Sequence, residues 1–208
     1  MNILAVDASG PELSVALLSR GKIYPLLRRG SAKPHDETIF PAAAEVLRRG
    51  GLELRDLDAV AAAAGPGRFT GIRIGMAYAA VTAGTLGIPA LSVSRLQAAA
   101  FAFTPGGRRC PALTGPRGEI FYQGFFGAAG RAPKPAAKPA WVEAAAWPAA
   151  KAQWEKRGFA VFSAAPGARE LLAPAAAALS GGRRPAFEPL YLKTAGYEKR
   201  RHPTGPAC

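Results

Sequence analysis

The 208-residue chain contains few cysteines and few histidines. Its two cysteines, Cys110 and Cys208, form neither a metal-binding spacing nor a disulfide framework. Its two histidines, His35 and His202, lie far apart in the chain, whereas two metal-binding histidines on one helix are about three or four residues apart. These scarcities disfavour a metal site, a disulfide-stabilised fold and a histidine-based metalloprotease.

Acidic residues are also scarce, since 14 of them stand against 27 lysines and arginines for a formal net charge of +13. Such an excess permits contact with nucleic acid or with an acidic protein but does not define a fold. Long apolar runs are absent: no window approaches the roughly 18 uninterrupted apolar residues that a membrane span requires. The first residues lack the basic region of a signal peptide. We therefore expect a cytoplasmic protein that makes no membrane contact.

What the sequence does contain is an alternation of strand-like and helix-like segments, which predicts an α/β fold. The apolar run at residues 2–7 ends in Asp7, and two further strand-like runs follow it. Helical patterns are predicted at residues 35–51 and 72–87, with a strand at 59–64 between them.

The pattern restarts after residue 104, where we place a domain boundary. This predicts an N-terminal subdomain at 1–104 and a smaller C-terminal subdomain at 105–208 with a polar tail. We expect the last segment of the chain to pack back on the N-terminal subdomain. Residues 127–140 are rich in proline, alanine and lysine, which is typical of a surface connection.

A glycine-rich turn with the sequence AGPGRFTGIRIG (64–75) joins the predicted strand to the second helix. Turns of this kind often bind phosphate through free amides and the positive end of the helix. A Walker loop requires a lysine after its second glycine, but Ile72 follows Gly71 here. The dinucleotide fingerprint also fails, because Gly65 and Gly67 stand too far from the third glycine. Helix packing or an interface is favoured, and a phosphate contact stays open.

Small residues recur every four positions along the second helix and form one stripe on its surface, at Gly71, Gly75, Ala79, Ala83 and Gly87. A stripe with so little side chain lets another helix approach closely, either inside the fold or from a partner protein. The first helix places apolar residues on one face at Ile39, Phe40, Ala43, Val46 and Leu47.

Five segments resemble one protein family in their order and spacing: ILAVDASGPELSVALL, HDETIFP, GPGRFTGIRIGMA, RGEIFY and PLYLK. The chain is similar over nearly its whole length to the TsaB/YeaZ family. The resemblance implies an α/β fold of the actin, sugar-kinase and heat-shock ATPase type. In that fold, two related subdomains each contain a mixed sheet flanked by helices.

The family is the non-catalytic subunit of the bacterial machinery that makes threonylcarbamoyladenosine in tRNA. The resemblance implies a scaffold without enzyme activity of its own, which pairs with the catalytic paralogue TsaD and works with TsaE, a small ATPase. TsaD modifies the adenosine next to the anticodon in tRNAs that read codons beginning with A. The implied contact with tRNA runs through the complex, and both a homodimer and a monomer stay open for the chain in isolation. No intrinsic cofactor is implied, and ATP or ADP at the boundary with the partner stays open.

The resemblance also implies site residues. In the family, the partner contact is built from the first two helices, and it maps here to Ile39, Ala43, Val46, Leu47, Gly71, Ile72, Gly75, Met76, Ala79 and Ala83. The positions that would contact a nucleotide are Asp7, Ser9, Gly65, Gly67 and Thr70. No catalytic residue and no metal ligand is implied.

The chain departs from the family pattern where the superfamily binds metal and phosphate. Ala8 replaces the usual threonine, Glu12 lies one residue later than the family's glutamate, and Thr114 stands where an aspartate is common. These departures disfavour metal-dependent phosphate chemistry by this chain alone.

Two other functions stay open beside the scaffold. One is a kinase or ATPase of the same fold that uses Asp7, Ser9 and Thr70. The other is a basic accessory protein that binds tRNA phosphates. The candidate residues for such phosphate contacts are Arg20, Lys22, Arg28, Arg29, Lys33, Arg48, Arg49, Lys193, Lys199, Arg200 and Arg201. Aromatic residues do not alternate with these basic residues along the sequence, so a base-stacking platform is not predicted.

Overall fold

The computed structural model describes residues 1–28, 34–102, 107–127, 132–182 and 186–193 of the chain. Several residues considered above lie outside this described part, namely Arg29, Lys33, Lys199, Arg200, Arg201, His202 and Cys208.

The described strands are β1 (Asn2–Asp7), β2 (Leu13–Ser19), β3 (Lys22–Arg28), β4 (Ala59–Gly65), β5 (Ala90–Ser94), β6 (Gly107–Thr114), β7 (Ile120–Tyr122), β8 (Phe125–Gly127), β9 (Lys134–Pro135), β10 (Ala140–Val142) and β11 (Ala160–Ser163). The α-helices are α1 (His35–Gly50), α2 (Phe69–Leu86), α3 (Arg95–Ala102), α4 (Trp147–Lys156) and α5 (Ala168–Ser180). Among the described residues, no helix combines the length and the hydropathy needed to cross a membrane.

The first sheet has the strand order β3-β2-β1-β4-β5. β1 pairs antiparallel with β2 and parallel with β4, which itself pairs parallel with β5. Successive side chains of a strand point to opposite faces, and β1 is buried on both of them. Leu4 and Val6 pack with α1 and α2, whereas Ile3 and Ala5 pack with α5.

α1 forms where the sequence predicts it and has the charges that helix ends favour. Asp36 and Glu37 lie in its first turn and Arg48 and Arg49 in its last, which complements the helix dipole. Gly51 then adopts a left-handed conformation with φ of 66° and ends the helix.

The second sheet is built around β6. β7 and β8 both pair antiparallel with β6 and keep one register, so they act as a single strand interrupted at Gln123 and Gly124. β10 and β9 pair antiparallel with β7 and β8, respectively, and β11 pairs parallel with β6. The 127–140 segment is therefore only partly a connection, because it contains β9 and the first residue of β10.

The two sheets share one plan. In each, a central strand (β1 or β6) has an antiparallel hairpin on one side and a parallel strand (β4 or β11) on the other. Helices pack on both sheets, and α3 contributes residues to the core cluster that covers β6. The expected α/β fold with two related subdomains, each containing a mixed sheet, is confirmed.

The C-terminal part of the chain returns to the first sheet. α5 follows the second sheet in sequence but packs against β1, β2 and β4 through Ala168, Leu171 and Leu172. Residues 186–193 also reach this sheet: the amide of Leu190 donates to the carbonyl oxygen of Ala64 at 2.7 Å.

The glycine-rich turn between β4 and α2 lies directly on the turn after β1. A methyl group at Gly71 would lie 2.0 Å from the carbonyl oxygen of Ala8, and one at Gly67 would lie 2.6 Å from the carbonyl oxygen of Ser9. The amide of Arg68 donates to that same Ser9 carbonyl at 2.8 Å. Glycine is therefore required because two backbones meet there.

This contact predicts unequal effects of alanine at two glycines of α2. Gly71→Ala is expected to lower the free energy of unfolding by about 3 kcal/mol, because the new methyl group overlaps backbone that has no room to move. Gly84→Ala serves as the control, since its methyl group would meet nothing within 4 Å and alanine favours a helix by roughly 1 kcal/mol. Urea unfolding measures both, and equal stability of the two variants would contradict the close contact.

Candidate functional site

Asp7 ends β1 and is only 2% exposed. One carboxylate oxygen, Oδ1, accepts hydrogen bonds from the amide and the hydroxyl of Ser9, at 2.8 and 2.6 Å. The other, Oδ2, lies 3.0 Å from Nε of Arg95. A buried carboxylate is costly unless it is bonded, and both oxygens of Asp7 are engaged by the protein itself.

Arg95 is the first residue of α3, and it joins three segments at this point. Its Nη1 donates to the carbonyl of Pro66 at 3.1 Å, and its Nη2 donates to that of Pro166 at 2.9 Å. Its Nε makes no hydrogen bond, so its attraction to Asp7 is that of an ion pair. The guanidinium neutralises Asp7, the first of the two acids that the resemblance implies for holding metal and phosphates.

A cleft of about 510 Å³ opens between the two sheets, next to this ion pair. Its lining is Ser9, Gly10, Pro11, Gly67, Arg68, Arg95, Ala112, Leu113, Thr114, Gly115, Pro116, Ser163, Ala164 and Ala165. None of these described lining residues is a carboxylate, and two are arginines. These walls therefore offer no acidic ligand for a hydrated metal ion, and the charge of Arg95 is already matched by Asp7.

The residues predicted to contact a nucleotide are only partly at this cleft. Ser9 and Gly67 line it, and Asp7 lies behind Arg95. Gly65 is buried with φ of +106°, and a methyl group there would lie 2.8 Å from the Ile72 side chain. Gly65 therefore shapes the turn, and the exposed Thr70 is not among the lining residues.

The second acid that the resemblance implies for a metal site is not on the cleft wall. Thr114 occupies the wall at the end of β6. The nearest acid in the sequence, Glu119, is buried, and its Oε2 accepts the amide of Arg117 at 2.8 Å. Within the described part of the chain, no three His, Cys, Asp or Glu side chains form a metal-binding group.

The residues predicted to bind a partner protein lie in the protein's own core. All of them are buried: Ile39, Ala43, Val46, Leu47, Gly71, Ile72, Gly75, Met76, Ala79 and Ala83. Regular apolar spacing marks the face of a helix that is buried, and this face packs against the first sheet. A methyl group at Gly75, for example, would lie 3.8 Å from the amide nitrogen of Ala8.

Next to the buried face of α1 and α2 lies a face of the same two helices that is exposed to solvent. Phe40 and Val81 are 64% and 66% exposed, the highest values among the exposed large apolar side chains of the described residues. Phe40 also contacts Tyr78 edge to face, with ring centres 5.1 Å apart, and so joins the two helices. We call Phe40, Val81 and the small exposed residues Ala44, Ala77 and Ala80 the two-helix face. In the sequence, the signal that could have located this face is Phe40, an apolar residue one position after Ile39 of the buried face.

Cys110 and His35, which lie within the described residues, have structural positions. Cys110 is fully buried, and burial raises the pKa of its thiol to about 12, although the Gln123 backbone and the charge of Arg157 act in the opposite direction. His35 begins α1, and its Nδ1 lies 3.0 Å from the carbonyl oxygen of Ala8. Neither residue has the setting of a nucleophile or a general base.

Comparison with known proteins identifies the family. A family profile described as TsaD, tRNA N6-adenosine threonylcarbamoyltransferase, matches residues 26–183. YeaZ from Pseudomonas aeruginosa superimposes with a TM-score of 0.72 at 25% identity, covering 91% of this chain and all of that one. The chain belongs to the TsaB/YeaZ family.

Several curated relatives of this chain are named tRNA threonylcarbamoyladenosine biosynthesis protein TsaB. The one from Haemophilus influenzae is 37% identical over 100 residues, which is 48% of this chain and 42% of the relative. The one from Bacillus subtilis is 33% identical over 131 residues, 61% of this chain and 55% of the relative. The chain thus spans about half the length of the curated relatives it matches.

The Asp7–Arg95 pair predicts coupled effects on stability. Asp7→Asn and Arg95→Met are each expected to cost about 3 kcal/mol, because each leaves the other partner buried without its counter-charge. The double variant should cost at least about 1 kcal/mol less than the sum of the two. Urea unfolding of the four proteins gives this coupling directly, and strictly additive losses would contradict the ion pair.

Proposed function

We propose that this chain is the non-catalytic subunit of a tRNA threonylcarbamoyladenosine complex. It acts by pairing with a TsaD-like catalytic paralogue, which modifies the adenosine next to the anticodon in tRNAs that read codons beginning with A. The names of its relatives support the pathway. The exposed two-helix face is the observation that carries the pairing, because it offers apolar surface that nothing in the described chain covers.

The state of the cleft supports a role without chemistry of its own. Asp7 is engaged by Ser9 and Arg95, and the lining residues include no carboxylate that could hold magnesium with a triphosphate. An ATP-dependent kinase or ATPase is therefore the weaker proposal. In the assembly we propose, ATP or ADP binds at the boundary with the partner, a TsaE-like ATPase joins the complex, and the chain alone pairs with a second copy.

The character of the two-helix face fits a protein partner. It combines two large apolar side chains with small residues that let a helix of the partner approach the α1 and α2 backbones closely. Phe40 is the expected anchor, since aromatic side chains that become fully buried contribute most to interface energy. Its edge contact with Tyr78 holds it in place before the partner arrives.

A substitution at this anchor tests the pairing. Phe40→Asp is expected to weaken association with the TsaD-like paralogue of the same organism by at least about tenfold, because it places a charge in an apolar contact. The fold should survive, since the side chain is mostly exposed. The measurement is light-scattering mass after size exclusion, combined with calorimetric titration.

Leu54→Asp is the matched control, because Leu54 is also an exposed large apolar residue, at 44%, but lies in a short turn outside the two-helix face. It should leave association unchanged. If Phe40→Asp binds the paralogue like the unmodified chain, or if Leu54→Asp weakens binding equally, the proposed interface is wrong.

A further inference from the structure

Strand pairing in the second sheet places a basic, an aromatic and a second basic residue in one row. Phe126 on β8 pairs with Arg108 on β6 at one side and with Lys134 on β9 at the other. Residues directly opposite each other across strands share a face of the sheet. All three are exposed, Phe126 to 49%. The row lies at the start of β6, whereas the cleft is at the end of that strand.

A second arginine extends the row beyond β6. The guanidinium carbons of Arg108 and Arg157 lie 5.9 and 5.7 Å from the ring centre of Phe159, and that of Arg157 lies 4.3 Å from Trp154. Nη1 of Arg108 also donates to the backbone carbonyl of Arg157 at 2.7 Å. The rings underneath are buried, so the two cations are held in place by aromatic contacts.

Neither arginine has a carboxylate partner among the described residues. The nearby acid Glu155 lies 3.6 Å from Lys151 and forms an ion pair with it. Both guanidinium groups lie near the Phe159 ring centre, at 5.9 and 5.7 Å, and like charges gathered on one surface repel each other unless an anion lies near them. An anion from outside the protein would therefore be bound favourably by these two arginines.

We propose that Arg108, Phe126, Lys134 and Arg157, which we call the arginine–aromatic face, bind RNA directly. Guanidinium groups held against aromatic rings suit phosphate, which such groups contact through two parallel hydrogen bonds. The exposed ring of Phe126 offers a surface on which an unpaired base stacks. This goes beyond the proposed function because it assigns an RNA contact to this chain itself, on a different sheet from the two-helix face.

The test is titration of fluorescently labelled unmodified tRNA with the full chain alone, at several salt concentrations. For Arg108→Gln/Arg157→Gln we expect affinity to fall at least about tenfold and the slope of log affinity against log salt to decrease by about two. Arg55→Gln/Arg169→Gln removes the same charge at exposed arginines outside the face and should change the affinity less than about twofold. Equal losses in the two pairs, or no loss in the first, would overturn the proposal.

Phe126→Leu tests the aromatic part without altering charge, and it decides the matter if the double arginine variant does not fold. A loss of about fivefold or more is expected from the missing stack, and unchanged affinity would overturn the proposal. Vesicles of anionic phospholipid serve as a competitor: efficient displacement of tRNA by them would favour a membrane surface and overturn RNA as the partner. Because the chain is titrated alone, the result is independent of whether it pairs with a TsaD-like protein.

Discussion

The contact between the β4–α2 turn and the turn after β1 organises the first half of the molecule. Two glycines, Gly67 and Gly71, bring the backbones of these turns together at Ser9 and Ala8. This approach positions the start of α2 beside Asp7. The Pro66 carbonyl then becomes an acceptor for Arg95, which is paired with that same carboxylate. A glycine motif that resembles a phosphate loop thus serves the packing of one backbone on another.

That arrangement has a consequence for function. An acid at the end of the first strand could hold a metal ion if its oxygens were free, but here Ser9 and Arg95 occupy them. The two surfaces that we propose for binding lie elsewhere on the chain. The two-helix face is apolar and belongs to the first sheet, whereas the arginine–aromatic face is basic and belongs to the second. The two related sheets thus carry different surfaces, one for the protein partner that we propose and one for the RNA contact that we propose.

The order of strands and helices was largely predictable from the sequence, because apolar runs, helix-end charges and glycines such as Gly51 and Gly87 mark the elements locally. The sequence did not predict which face of α1 and α2 is buried against the chain's own first sheet. The small-residue stripe of α2 predicts close packing, but it does not distinguish the protein's own sheet from a partner. The true exposed face depends on Phe40 and Val81, whose exposure follows from where the sheet lies.

Long-range pairing explains the other differences. The partner of Asp7 is Arg95, 88 residues away, and no local pattern connects them. The basic and aromatic residues of the second sheet do not alternate in sequence, yet strand register brings Arg108, Phe126 and Lys134 into one row. Such juxtapositions follow from register, which the sequence specifies only through the completed fold.

In the function that we propose, this chain acts through its surface and not through chemistry at the cleft. The most direct measurement is threonylcarbamoyl transfer to tRNA in a reconstituted mixture with the catalytic paralogue and the small ATPase. The account predicts that Phe40→Asp abolishes the dependence of transfer on this chain, whereas Arg68→Gln and Thr114→Ala, which alter exposed cleft residues, leave transfer within about twofold. Loss of transfer with the cleft variants, together with full activity of Phe40→Asp, would contradict it.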